Sequence, residues 1–179
     1  RREMLPIVLD QSLDLLNAQG AALAIRDPAT GETVIELARG EWLAMNGVRL
    51  RPGEGVSGHV IATGQPYLSG DVQADPGMAH SDLHGRLRAA ACVPLIAQAQ
   101  TMGALWIGRL TPIADGEVRL LTVIAEIAAN ALHRAALHEA EREQALRLAA
   151  IGQVVRQVST SLDLDELLRR AVDLVRETF

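Results

Sequence analysis

Apolar and polar positions alternate with two different periods along this chain, and the changes of period mark its elements. Leu5, Val8, Leu9, Ser12, Leu13, Leu15 and Leu16 recur at helical spacing across residues 2–18, with Gly20 as a stop. Ala21–Asp27 is then a short apolar strand. Asp27-Pro28-Ala29-Thr30-Gly31 supplies turn chemistry, and Thr33–Ala38 alternates as its hairpin partner. Residues 41–48 are poorly patterned, with a helical turn around Trp42 and Leu43 and a brief strand at Val48-Arg49-Leu50. Val56–Thr63 reads as a short helix ending at Gly64, followed by extended Tyr67 and Leu68. Residues 70–88 form a polar loop bearing Gly, Asp and His. Arg88–Ile96 and Met102–Leu110 are two strands joined by a turn at Gln98-Ala99-Gln100.

The rest of the chain is organised around the run from Ile113 to Val158. It has no proline after Pro112 and is rich in Ala, Leu, Arg, Glu and Gln, all good helix formers. Asp115 is placed to cap its start, with Glu117 in the first turn, where a helix N-terminus favours negative charge. At ~1.5 Å per residue such a helix is ~65 Å long, about twice the width of a small domain. A single globule cannot cover it. Steps of three and four pick out Leu120, Val123, Ile127, Leu137, Leu148, Ile151, Val155 and Val158 as a coiled-coil seam. Asn130, Arg134, Glu141 and Gln144 interrupt that seam. A wider stripe, adding Leu121, Ile124, Ala128 and Ala131, is expected to pack on the helix's own domain. The seam points to a rod shared by a homodimer; the competing reading is one amphipathic helix lying across a sheet and then fraying.

Composition narrows the classes. In 179 residues, 49% are apolar and 22% charged, enough for one ordinary core plus an extension. A net charge of −5 with no basic block argues against phosphate-backbone binding. Trp42, Tyr67, Trp106 and Phe179 are the only aromatics, too few for base-stacking surfaces, so nucleic acid is not an expected partner. No apolar run approaches the ~20 residues that cross a bilayer, and no signal-peptide pattern opens the chain. The single Cys92 excludes an intramolecular disulfide and fits a reducing cytosol, so a cytoplasmic location is expected. The chain begins at Arg1 and stops within a helical pattern, and it reads as a piece of something larger.

Four features could carry chemistry. Gly53-Glu54-Gly55-Val56-Ser57-Gly58 matches G-x-G-x-x-G, but it is flanked by antiparallel hairpins rather than by a strand–helix crossover. A tight turn opening a helix is the better reading, with the first free amides able to meet an anion. His80, Asp82 and His84 lie within five residues, a loose spacing for a metal or haem, weighed against a solvated loop at a pocket mouth. Cys92 lies in an apolar strand and reads as an inert buried hydrophobe. His138-Glu139 is too far from His133 for H-E-x-x-H and reads as a solvated helix face. No nucleophile–base or paired-carboxylate arrangement stands out.

Taken in succession, Gly53–Pro66, Ala91-Cys92-Val93-Pro94-Leu95-Ile96, Met102–Ile107 and the stretch from Thr111-Pro112 into Glu117–Leu121 resemble a GAF domain. The resemblance covers residues 3 to about 137. It implies an α+β fold of GAF/PAS-like form: a central antiparallel sheet with flanking helices, its first and last helices on one face, followed by a long C-terminal signalling helix. The other face, under the short helix and the 70–88 loop, would be a small-molecule pocket. The candidate ligand-binding residues there are Trp106, Met78, His80, Asp82, His84, Arg88 and Val93. Cyclic-nucleotide-binding members carry an Asn-Lys pair and a Phe where Gly108, Arg109 and Ile113 stand, which argues against cyclic nucleotides. The loop also lacks the Cys that attaches a bilin. The cofactor stays unknown; haem or another small molecule remains open, with His80 or His84 as axial candidates.

The resemblance implies the domain at 1–112, its final helix continuing as a coiled-coil linker over 113–160, and the first helix of a truncated second unit at 161–179. Ser161-Leu162-Asp163 looks like a fresh cap, and Asp165–Arg176 repeats the pattern of the opening helix. The expected function is a non-catalytic sensory module of a multidomain bacterial signalling protein. It would bind a small molecule and pass its state through a dimeric helix to a downstream effector domain in the same chain. The alternative is a ligand-free dimerising spacer. A small redox catalyst ranks lowest, because one cysteine has no resolving partner.

Overall fold

The structure, a computed structural model, describes residues 4–78 and 85–178. In chain order the elements are α1 (Met4–Leu15), β1 (Gly20–Arg26), β2 (Thr33–Gly40), a 3₁₀ turn (Leu43–Met45), β3 (Arg49–Leu50), α2 (Gly55–Thr63), β4 (Tyr67–Ser69), β5 (Ala89–Ala97), β6 (Gln100–Arg109) and α3 (Asp115–Thr178). The six strands form one sheet in the order β3-β2-β1-β6-β5-β4, with antiparallel pairing throughout.

Two hairpins build the sheet's centre, and each is closed by local chemistry. In the first, Asp27 Oδ1 accepts the Ala29 amide at 2.8 Å, and the Gly31 amide donates to the Asp27 carbonyl at 2.8 Å. In the second, Gln98 and Ala99 both take positive φ, +51° and +60°, the mirror-image turn whose twist matches that of paired strands. The short helix α2 ends where expected: Gly64 is left-handed (φ +67°) and its amide donates to Val60 O at 2.9 Å. The G-x-G-x-x-G run serves the start of that helix. A Cβ on Gly58 would lie 2.3 Å from the backbone carbon of Gly53, so only glycine lets the turn fold over the first helical residues.

Strand alternation sends successive side chains to opposite faces of the sheet. Leu23, Val93, Leu95, Leu105 and Ile107 face one way and meet Leu5 and Leu9 of α1, Leu16 just beyond its end, and Leu121, Ala125, Ala128 and Leu132 of α3. The first and last helices therefore share one face. Each fully buried Leu there contributes about 1.5–3 kcal/mol. Ser12 is tolerated in this layer because its hydroxyl donates to Val8 O at 2.7 Å.

Helix α3 carries two apolar stripes. Leu121, Ala125, Ala128 and Leu132 are buried, and Ile124 is partly buried on the same cluster. Leu120, Val123 and Ile127 are 42, 51 and 67% exposed, so the narrow seam is distinct from the stripe that packs on the sheet. An 18-residue window within Asp115–Gln153 has a mean hydropathy of 1.3, enough by length and composition to cross a membrane, although the Leu121–Leu132 face is packed on the sheet. The start of α3 departs from expectation. Asp115 is already its first helical residue, and Glu117 reaches back so that its Oε2 accepts the Ala114 amide at 2.8 Å. This is the glutamate half of a capping box, and Glu117 Oε1 also pairs with Arg109 at the end of β6.

The chain divides into two compact units, Arg1–Ala135 and Ala136–Phe179. In the second unit Leu137, Leu148 and Ile151 are 51, 61 and 60% exposed, while the side chains of Val155 and Val158 lie outside the described residues. His138–Glu141 (3.4 Å) and Arg147–Glu143 (3.9 Å) pair along its surface, each worth at most a few tenths of a kcal/mol. At Ser161-Leu162-Asp163, where a fresh cap was expected, the helix continues to Thr178. Ser and Asp cost a helix interior only about 0.5 kcal/mol each, too little to break it.

Candidate ligand-binding face

The face of the sheet away from α1 and α3 is floored by small residues. Gly40, Gly20 and Gly108 stand opposite one another on β2, β1 and β6. Ala22 and Cys92 flank Trp106 on the neighbouring strands. Side chains this small leave room above the sheet, and two indoles fill it. Trp106 rises from β6, 8% exposed, and its Nε1 donates to Ser57 Oγ of α2 at 2.9 Å. Trp42 arrives from the turn after β2 and is 1% exposed. The two rings meet edge to face, centroids 5.9 Å apart at 89°. Trp42 lies directly on the glycines: a Cβ at Gly20 would be 3.2 Å from its Cδ2, and one at Gly108 2.8 Å from its Cζ2 and 2.5 Å from Leu87 Cδ1.

Around the indoles the layer is closed by Met45, Val56, Val60, Ile61, Val72, Met78 and Leu87. The loop read as polar thus contributes three buried apolar side chains, Val72, Met78 and Leu87, while Asp71, Gln73, Arg86 and Arg88 beside them are exposed. A polar clamp holds it against β4. Tyr67 Oη lies 3.0 Å from both carboxylate oxygens of Asp75, and Oδ1 also accepts the Gly77 amide at 2.9 Å. Burial, then the Asp75 contact, pushes the Tyr67 phenol above its ordinary value. Burial pushes the Asp75 carboxyl up, but the hydrogen bonds it accepts outweigh this and hold it below the usual carboxylate value.

The sequence-derived candidates are only partly brought together. Trp106 and Met78 belong to this face. Val93 does not: one residue past Cys92, it points to the opposite side and is fully buried against the helices, so it leaves the candidate set. Arg88 is exposed at the root of β5, its backbone engaged with Val72 and Arg109. His80, Asp82 and His84 lie outside the described residues. Trp42, Ser57 and Leu87 were missed. Trp42 and Leu87 come from stretches with no period, and Ser57 from a motif read for its glycines. The one available signal was the coincidence of three glycines at strand ends.

Chemically the layer is a hydrocarbon and indole surface. Among the described residues, none of the buried side chains there is a carboxylate, amine or imidazole. Cys92 is fully buried and its thiol is pushed well above its ordinary value, the opposite of an activated nucleophile. Among the described residues, no three His, Cys, Asp or Glu side chains gather as a metal site would require.

The fold is thus an antiparallel sheet with two helices on one face and a tryptophan-filled layer on the other. The family model for the GAF domain matches residues 1–133, and the chain belongs to the GAF family. Solved structures agree in fold. The chain is similar to the GAF domain of a phosphoenolpyruvate-protein phosphotransferase (ptsP) from Coxiella burnetii (TM-score 0.67, 24% identity, 78% of this chain and 94% of that one). It is also similar to free methionine-R-sulfoxide reductase from Neisseria meningitidis in complex with its substrate (TM-score 0.61, 19% identity, 74% and 81%). A third is a far-red cyanobacteriochrome photoreceptor (TM-score 0.61, 16% identity, 74% and 86%). No curated protein matches the sequence.

Proposed function

We propose that this GAF domain is a non-catalytic sensory module that works as a homodimer. It receives a small molecule on its tryptophan face and passes the state of that face along α3 to an effector domain joined to the same chain. The observation that carries this reading is the double use of α3. One stripe is spent on the sheet, and a second, Leu120-Val123-Ile127, stays apolar and exposed while the spacing continues through Leu137, Leu148 and Ile151. Exposed apolar residues scattered singly are ordinary; a seam at alternating steps of three and four is what two helices need to pair. The route from face to helix is short, since Trp106 and the Glu117-paired Arg109 lie three residues apart on β6. A photoreceptor and a substrate-bound reductase of the same fold give precedent for a small molecule. The inaccessible Cys92 argues against a thiol catalyst here.

Sedimentation tests the reading. The wild-type chain should run as a dimer and Ile127→Glu as a monomer, because a carboxylate in an apolar seam must be desolvated. A wild-type monomer would remove the relay and leave the fold. The spacer alternative draws on the filling of the tryptophan face by the chain's own side chains. Native mass spectrometry with ultraviolet–visible spectra of freshly purified protein separates the two: a reproducibly retained species supports the sensor, a clean dimer the spacer.

A further inference from the structure

Resting on that reading, we propose that the ligand site is the slot now filled by the Trp42 indole, that its ligand is a flat, uncharged aromatic molecule, and that the ligand enters by displacing Trp42. The slot has the shape of a ring. Its floor is backbone, Gly20 beside Gly108; Leu87 borders it, and the edge-to-face contact with Trp106 sets its wall. No strand preference explains glycines at two adjacent strand positions, since glycine weakens a sheet; the indole above them does. Among the described residues the buried side chains around it are apolar save Ser57, which Trp106 engages, so they offer an ionised ligand no charged partner, whereas an aromatic ring recovers the contacts Trp42 makes.

The occupant is carried on a segment built to move as a unit. Trp42 belongs to no strand. Its segment is bounded by Gly40 (φ +62°) and Gly47 (φ +81°), two left-handed positions open to glycine. At one end the Glu41 amide donates to Gln19 O; at the other the Gly47 amide donates to Ile35 O and Asn46 Oδ1 accepts the Ala38 amide. Between these anchors the backbone bonds from Met45 to Trp42 O and from Asn46 to Leu43 O are local turns, and the Trp42 amide reaches only three residues back, to Arg39 O at 3.3 Å. The segment can swing without breaking the sheet's ladders. Its near anchor, Gln19, also donates its amide to Gly108 O and accepts the Leu110 amide on Oε1, so movement at Trp42 is felt where β6 leads towards α3.

The chain's two tryptophans make the test direct. Protein labelled with 5-fluorotryptophan is titrated with unlabelled indole and followed by fluorine NMR. The Trp42 resonance should move saturably towards its solvent-exposed position, with a smaller shift at Trp106. Trp42→Ala, which has no plug to expel, should bind indole at least about tenfold more tightly, and indole-3-carboxylate at least about tenfold more weakly than indole. An unmoved Trp42 resonance in the wild type overturns the proposal, whether or not the variant binds. Equal affinity for the carboxylate overturns the ligand class. If Trp42→Ala does not fold, the wild-type titration and Trp42→Leu carry the test. A monomer that still binds indole would keep the slot and lose the relay; a dimer with a fixed Trp42 would do the reverse.

Discussion

The two faces of the sheet are both apolar and both closed, yet they are closed by different means. On one, α1 and α3 lay down leucines at helical spacing and meet a layer of Leu, Val and Ile from the strands. On the other, a turn, a nine-residue helix and a loop close over glycine and alanine, with Trp42 coming down from the turn and Trp106 rising from β6. The helical face is a repeated pattern that tolerates variation at any one point, whereas the tryptophan face depends on the absence of side chains beneath particular rings. Stability should therefore rest on the first and adaptability on the second.

The sharpest way to break this contrast is to excavate each face in turn. Leu121→Ala removes a fully buried side chain from the helical layer and should cost about 2–5 kcal/mol by thermal or denaturant unfolding. Because α3 is fixed in place by several such residues, the Trp42 and Trp106 environments should be unchanged in the folded protein. Raising the floor of the other face is expected to cost less and to act locally. Gly108→Ala places a methyl group 2.5 Å from Leu87 and 2.8 Å from Trp42, and should cost about 1–3 kcal/mol while moving Trp42 fluorescence to the red. If Leu121→Ala disturbed Trp42 more than Gly108→Ala did, the faces would not be separable.

How far the sequence reveals each face follows from the same difference. Leu5, Leu9, Leu16, Leu121 and Leu132 announce themselves by period, as do the alternating strands, and the succession of motifs from Gly53 to Leu121 gives the family. The tryptophan face has no period to read. Trp42 precedes a three-residue helical turn and Leu87 lies in a loop, so only folding brings Trp42 over Gly20 and Gly108, 22 and 66 residues away in the chain. Val93 was misplaced for a related reason: in a strand buried on both sides, nothing in the composition says which residues face which layer. Glu117, not Asp115, proved to close the start of α3 because the helix begins one residue earlier than a cap at Asp115 requires.

That start joins the two faces, and Glu117→Gln tests it. The Ala114 amide first, and then Arg109, hold the Glu117 carboxyl below its ordinary value of 4.5, despite some opposing burial. A lowered carboxylate stabilises the fold above its unfolded value and loses that contribution as pH falls through the folded one. The variant should be about 1 kcal/mol less stable than wild type near neutral pH, a modest figure because Glu117 is a third exposed. The gap should close as pH falls below 4.5 and through the lower folded value. A difference that persisted in acid would assign the role to packing rather than to charge.

The smallest effect is expected where neither face is touched. Ala99 holds φ +60° in the β5–β6 turn, a conformation that costs an L side chain roughly 1 kcal/mol and costs glycine almost nothing. Ala99→Gly should therefore stabilise the protein, by somewhat less than that because glycine also frees the unfolded chain. Strands β5 and β6 present residues to both layers, so the gain should appear as a rise in melting temperature with Trp42 fluorescence unchanged and α3 exchange slowed no more than the sheet's own. A gain confined to one layer would mean that the hairpin does not fold as a unit, and that the two faces are held by separate halves of the chain rather than by one sheet seen from two sides.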